Sequence, residues 1–423
     1  MRENDRIPWG AVIVAAAGYF VDLFDTFQLP ALRVQSLRDL GVPDVQSLSV
    51  YTGIMNWQLF GMAIGALLLW GPFADRRGRR RVLLASILVY AVANALTGAV
   101  HSVVQYAAAR FVAGVGLGGE LGAGITLVSE NMGMSRRGLG TMVVGCCGML
   151  GVVAAAVLAK SSLPWRTDYI IGGVMGLGIL ALRFGLGESK LFEKNRETGQ
   201  TGTYFHVLSF LVRWPQCMKY TACVLVGAPT FFVTGLLVPG APEFGRAFGM
   251  KSLPVPATAL IWTYLSIAVG DILCGLLSQV LQSRKKALLI FHGVTALGIC
   301  GFLFTPPQTP YAFYARCVIA GLGIGFWANM VTNAAEQFGT NVRGTVTITV
   351  PNFVRFLLFP ISAAFLGMKP ALGIVPAAAI VGLTCSAAAI ISVLLLKDGF
   401  TKELDYNEPL KMSAHHVDEP AFS

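Results

Sequence analysis

The sequence predicts an all-α membrane protein with twelve transmembrane helices in two pseudo-symmetric six-helix bundles. Three observations predict it. Apolar residues make up 55% of the 423 and charged residues only 13%, about half of the roughly 25% that soluble proteins use to coat a water-facing surface. Twelve apolar runs of spanning length recur between short charged or Gly/Pro-containing loops. The two halves also repeat. Glu130–Gly138 and Glu336–Gly344 both read E-x-x-G-x-x-x-R-G at an offset of 206, and RRRVLL at 79–84 returns as RKKALL at 284–289. A chain built as two six-helix halves is the sequence mark of a transporter whose site lies between its repeats.

The first run, 9–29, follows a charged start that imitates a signal peptide. Twenty-one helical residues reach about 31 Å, the hydrocarbon thickness, so it reads as a retained span. The others are 51–71, 82–100, 103–128, 139–159, 168–187, 218–239, 256–281, 287–304, 311–335, 345–367 and 372–396. The long hydrophilic stretch 188–217 divides the chain into an N-terminal bundle, 1–187, and a C-terminal bundle, 218–396, leaving a tail at 397–423. Within that linker, Tyr204, Leu208 and Leu211 share a face, which predicts a short helix lying at the membrane surface. Many of the 48 glycines sit inside the runs. Gly114, Gly118 and Gly122 fall four apart and read as a helix-packing seam; the GxGxxG formed by Gly114, Gly116 and Gly119 lacks the preceding strand that dinucleotide binding needs.

Charge sets the orientation. With both termini cytoplasmic, 21 of the 32 Lys and Arg fall on the cytoplasmic side and 7 outside. The remaining four, Arg110, Arg183, Arg316 and Arg355, lie within spans. This is a strong positive-inside bias, and it accounts for the net charge of +10 without nucleic acid as a partner. The eight cysteines form no CxxC and read as small buried hydrophobes, giving no metal site and no cofactor. No HExxH, GxSxG or Walker loop is present, which argues against an enzyme or an ATP-driven pump.

The loop after the second run is GPFADRRGRRR, Gly71 to Arg81. It resembles the G-x-x-x-D-R-x-G-R-R signature of the major facilitator superfamily, with Gly71, Asp75, Arg76, Gly78, Arg79 and Arg80 in place. The counterpart, GLLSQVLQSRKK at 275–286, keeps Gly275 and its basic cluster but has lost the acid, so an asymmetric gate is expected. RFVAGVGLGGELGAG in the fourth run resembles organic-acid, metabolite and phosphate proton symporters. GYFVDLFDTF in the first resembles the D-x-x-D helix of aromatic-acid, lactate and phosphate symporters, with Leu23 where the aromatic-acid form has Gly. Glu130, Arg137 and Glu188, with Glu336 and Arg343 in the repeat, resemble the intracellular charge motifs of sugar porters. Gly145, Gly148 and Gly151 lack the proline of the drug-antiport motif.

The resemblance implies the major facilitator fold and alternating access. The cytoplasmic gate would be Gly71, Asp75, Arg76, Gly78, Arg79, Arg80, Glu130, Arg137, Glu188, Glu336 and Arg343. Ionisable residues inside a bilayer cost about 2.5–3.5 kcal/mol each and are functional by default. Asp22 and Asp25 share a helix face with Gly18, and Arg110 lies at a matching depth, so an ion pair serving proton coupling is expected; a fixed helix-docking pair is the alternative. Glu120, Asp271, Trp327, Asn329, Asn333, Asn352 and Arg355 are the candidate substrate-cavity residues. Glu120 either lines the cavity or bonds a neighbouring helix, and each Asn either lines it or glues helices. Arg110 and Arg355 favour an anion. The expected function is therefore proton-coupled symport of a small organic anion, a monocarboxylate or aromatic acid, by a monomer in the plasma or bacterial inner membrane. Its partners are the small-molecule substrate, protons and the lipid bilayer. A sugar or polyol symporter, or a membrane sensor that binds without translocating, are the other readings.

Overall fold

The computed structural model describes residues 9–77, 79–120, 137–183, 204–400 and Glu408. In the first half these form α1 (Trp9–Asp39), α2 (Ser47–Ile64) running into a π-helical turn (Gly65–Trp70), α3 (Gly71–Arg77), α4 (Arg79–Thr97), α5 (Val103–Leu117), α6 (Arg137–Leu158) and α7 (Trp165–Arg183). The described linker is α8 (Tyr204–Val212). The second half holds α9 (Gln216–Leu225), α10 (Ala228–Phe232) with a π turn (Val233–Leu237), α11 (Ala241–Ala247), α12 (Pro256–Val280), α13 (Arg284–Phe304), α14 (Pro310–Gly323), α15 (Trp327–Glu336), α16 (Thr340–Phe356), α17 (Leu358–Leu372) and α18 (Ile374–Leu395).

Within the described residues, each of the twelve apolar runs maps onto one helix or one interrupted helix. Seven are long and apolar enough to cross a membrane, and the bent pair α9 with α10 makes an eighth. Three more contain shorter apolar helices, Arg81–Thr97, Val103–Leu117 and Val143–Leu158. The last is α7, whose apolar stretch carries Arg166, Asp168 and Arg183. Among the described residues there is no strand.

Three features differ from the sequence reading. α1 continues ten residues past the expected end, through Pro30 to Asp39. Its far end is held by α7, where Asp39 accepts from Trp165 Nε1 at 3.2 Å and from the Arg166 guanidinium. Arg33 therefore sits inside a helix rather than in a loop. The fourth run breaks at Gly118–Gly119, and the tenth breaks at Ile324–Phe326. These breaks are 206 residues apart, the offset of the sequence repeat. The internal repeat is thus visible as matched interruptions of two spans.

Glycine spacing sets how closely the first-half helices approach. Gly114 packs on the Gln58 main chain, and Gly61 and Gly65 pack on the Phe111 and Val115 main chains. A Cβ at Gly61 would lie 3.1 Å from Val115 N. Without a hydrophobic force between helices in lipid, such close backbone contact supplies the packing energy.

Candidate functional site

The end of the molecule carrying the basic loops 76–81 and 284–286 is called here the basic end, and the other the far end. Charged and polar side chains join the halves at mid-span and at the far end, and others are buried within each half.

At mid-span, α1 meets α16. Asp22 is fully buried and Arg355 is 2% exposed, with Nη2 3.4 Å from Asp22 Oδ2. Tyr19, one turn earlier on α1, is buried near the same guanidinium. Arg355 Nη1 and Asp22 Oδ1 have no hydrogen-bond partner. The pair is therefore half-satisfied, with one donor nitrogen and one acceptor oxygen free. Arg355 lies one turn after Pro351 and just before the join of α16 to α17 at Leu357.

Arg110 does not make the ion pair expected of it. Its guanidinium donates to Gln58 Oε1 at 3.0 Å, to Asn94 Oδ1, and to the Asp25 main-chain oxygen at 2.9 Å, and it lies 5.2 Å from the centroid of the Tyr169 ring. These groups come from α1, α2, α4 and α7, so Arg110 ties together the helices around α5. The Asp25 carboxylate lies beside Asn94 and Arg110, yet neither of its oxygens has a well-formed hydrogen bond. The depth argument matched Asp22 with Arg110 along the membrane normal. Packing turned the two side chains toward different helices.

Glu120 pairs with Arg183 of α7 through two bonds of 2.9 and 2.5 Å, and both side chains are 2% exposed. Gly18 leaves the room for this; any Cβ there would collide with the guanidinium. The partner was legible as one of four arginines inside spans, but no role had been drawn for it.

The other candidate residues divide. Asp271 Oδ1 accepts from the main-chain N–H of Ala328 at 3.0 Å, at the break in the tenth span. Trp327 meets Phe231 edge-on at 6.4 Å. Asn329 turns into the second half, with Nδ2 3.5 Å from Cys274 Sγ and from the Arg284 carbonyl. Asn333 is buried with Oδ1 unpartnered, and Asn352 donates to the Ile348 carbonyl of its own helix at 3.1 Å. Tyr264 packs across the halves on Phe27, ring centroids 4.9 Å apart.

The far end is sealed by contacts between the halves. Arg33 of α1 grips Glu243 of α11 with two bonds of 2.9 and 2.7 Å; Arg33 is fully buried and Glu243 is 9% exposed. Tyr51 lies beneath Arg33, 5.7 Å from guanidinium to ring centroid, and donates to the Gly235 carbonyl at 3.2 Å. That carbonyl belongs to a π turn, where the regular ladder is disturbed and such turns recur at functional sites. Deeper, Asn56 donates to Ser362 Oγ at 2.9 Å. Sequence reasoning missed this seal because it placed Arg33 in a loop.

At the basic end, Gly71 begins α3. Gly78, Glu130 and Glu188 lie outside the described residues, as do the side chains of Asp75, Arg76, Arg79, Arg80 and Arg137. In the second half, Arg284 Nε is 3.5 Å from Glu336 Oε1, and Arg343 donates to the Ala335 and Phe338 carbonyls at 3.2 and 3.3 Å. The acid that the 275–286 loop lacks is supplied from beyond the last span. Asp398 accepts from the Ser283 hydroxyl and, at 3.2 Å, from Arg284 N, so it serves the N-terminus of α13. Among the described residues, no cluster of His, Cys, Asp or Glu could hold a metal ion.

The chain is similar to the niacin transporter NiaP of Acinetobacter baylyi, 28% identical over 358 residues, covering 78% of this chain and 80% of the relative. It is similar also to the cis,cis-muconate transport protein of the same organism, 25% identical over 356 residues and covering 81% and 84%. In fold it resembles the inward-open xylose transporter XylE of Escherichia coli, with a TM-score of 0.71 at 16% identity over 94% of this chain and 98% of the other. The Major Facilitator Superfamily pattern matches residues 14–363. Twelve spans, two repeated halves and that match together place the chain: it belongs to the Major Facilitator Superfamily of membrane transporters.

Proposed function

We propose that this protein carries a small organic anion, a monocarboxylate or aromatic acid, across the bacterial inner membrane together with a proton. The halves 1–187 and 218–396 rock about the seam between them, with the basic end in the cytoplasm. One observation carries the reading: the half-satisfied Asp22–Arg355 pair across the halves at mid-span. A guanidinium presents donors in a fork that matches a carboxylate. An incoming carboxylate takes the fork that Asp22 holds, and Asp22, displaced, takes up a proton. The charge count at the centre is then unchanged, and the halves are no longer tied through Asp22. The aromatic side chains around the pair, Tyr19, Phe27 and Tyr264, suit a flat or apolar substrate body. Relatives named for niacin and cis,cis-muconate transport support a small organic acid.

The test is uptake into proteoliposomes with an imposed pH gradient, using nicotinate, benzoate, 4-hydroxybenzoate, lactate and xylose. Accumulation of at least one carboxylate that collapses with a protonophore and is lost in Arg355→Gln supports the reading. Accumulation of xylose alone, or of a carboxylate undiminished in Arg355→Gln, overturns it.

A further inference from the structure

Asp271 lies on the face of α12 that looks toward the first half. Tyr264, Ala268, Asp271 and Gly275 form one stripe, at steps of four, three and four residues. Tyr264 closes the stripe on its far side, buried against Phe27 of α1, while Ala268, Asp271 and Gly275 are half-buried. A Cβ on Gly275, or on Gly145 of α6, would meet nothing within 4 Å. Asp271 is within electrostatic reach of Cys146, the residue after Gly145, and of Tyr19 on α1. The stripe therefore borders an open space between α1, α6 and α12. Counting residues gives the depth. From the Phe27–Tyr264 contact, Asp271 lies seven residues toward the basic end on α12 and Asp22 five on α1. At 1.5 Å per residue, Asp271 stands about 3 Å nearer the basic end than Asp22. Tyr19 feels both Arg355 and Asp271. Beside Asp271 stands Trp327, half-buried and braced edge-on by Phe231.

A carboxylate at this depth is costly, and among the described residues no cation is paired with Asp271. One N–H, from Ala328, reaches Oδ1, whereas a carboxylate offers about four acceptor positions. We propose that Asp271 is a specificity-determining residue, the anionic pole of a central site whose cationic pole is Arg355. It accepts a hydrogen bond from a hydroxyl or N–H on the substrate body and turns away a second carboxylate by like-charge repulsion. This rests on the proposed transport of a carboxylate. It narrows the substrate to a monocarboxylate that carries a donor away from its carboxyl group.

The test measures kcat/KM for uptake into proteoliposomes of benzoate, its 3- and 4-hydroxy derivatives, and the matching dicarboxylates isophthalate and terephthalate. The parent protein should prefer at least one hydroxybenzoate to benzoate and reject both dicarboxylates. Asp271→Ala removes the acceptor, and should lower the ratio of that hydroxybenzoate to benzoate at least about tenfold, as loss of a hydrogen bond to a charged group does. Asp271→Asn keeps an oxygen for Ala328 N but removes the charge, and should raise the ratio of the matching dicarboxylate to benzoate at least about tenfold. The asparagine arm stands by itself should the alanine variant fail to fold. A residue that only supports the helices would change all the rates together and leave both ratios where they were. Unmoved ratios in variants that still take up benzoate overturn this inference and leave the proposed function standing. A parent protein that takes up no carboxylate overturns both.

Discussion

Removing the Glu243 charge should open the far end. Arg33 is fully buried in the sealed arrangement, and beside Glu243 it donates to Ser47 Oγ at 3.4 Å. Glu243→Gln leaves that guanidinium buried without a counter-charge. Breaking a buried pair from one side costs about 3–5 kcal/mol. When the halves part at this end the guanidinium reaches water, so the cost falls on the sealed state alone. Each 1.4 kcal/mol is about a factor of ten, so the balance should move about 100- to 4,000-fold toward the open state. The double variant Arg33→Gln with Glu243→Gln removes both charges and the desolvation together, and should shift the balance far less. The assay places one cysteine at Thr234, fully buried within the π turn, and times its reaction with a membrane-impermeant maleimide added outside. Glu243→Gln should accelerate labelling at least tenfold, with the double variant between it and the parent. Labelling at the parent rate, or equal acceleration in the single and double variants, would refute the latch.

Three further outcomes are expected. Arg110→Lys should lower the thermal midpoint as much as Arg110→Gln, because a point charge cannot serve Gln58, Asn94 and the Asp25 carbonyl at once; lysine rescue in a melting curve would contradict the tie. Gly18→Ala should sharply reduce the yield of folded protein by driving a methyl into the Glu120–Arg183 pair, while Gly10→Ala, with nothing within 4 Å, should be neutral; fluorescence-detected gel filtration compares them. Asp398→Ala should cost about 1 kcal/mol, as a lost helix cap does, and Asp398→Asn should recover most of it, both read from thermal unfolding.

The sequence made the class and the spans legible because lipid forces every backbone group into a helix and every charge into a loop or a pair. The breaks in the fourth and tenth runs, read from sequence as continuous, fall at the same offset as the repeat of Glu130 and Glu336. Pairing was another matter. Depth along a helix follows from counting residues, so Asp22 and Arg110 could be matched in height. Which way each side chain faces depends on how α1 turns against α16, 333 residues away in the case of Arg355. The end of α1 was hidden for a related reason. Pro30 and a charged stretch from Arg33 to Asp39 read as a loop, and only the partners Glu243, Trp165 and Arg166, all distant in sequence, make a helix there stable. Asp398 escaped notice because the acid was sought inside the loop it serves.

The proposed exchange of carboxylates at Arg355 is tested most directly by counting protons. Purified protein in weakly buffered solution with a pH indicator is mixed with a carboxylate it accumulates. Wild-type protein should take up close to one proton for each carboxylate bound, and Asp22→Asn should bind the same solute with no proton uptake. Equal uptake by the two proteins would contradict the account and assign the proton to another group.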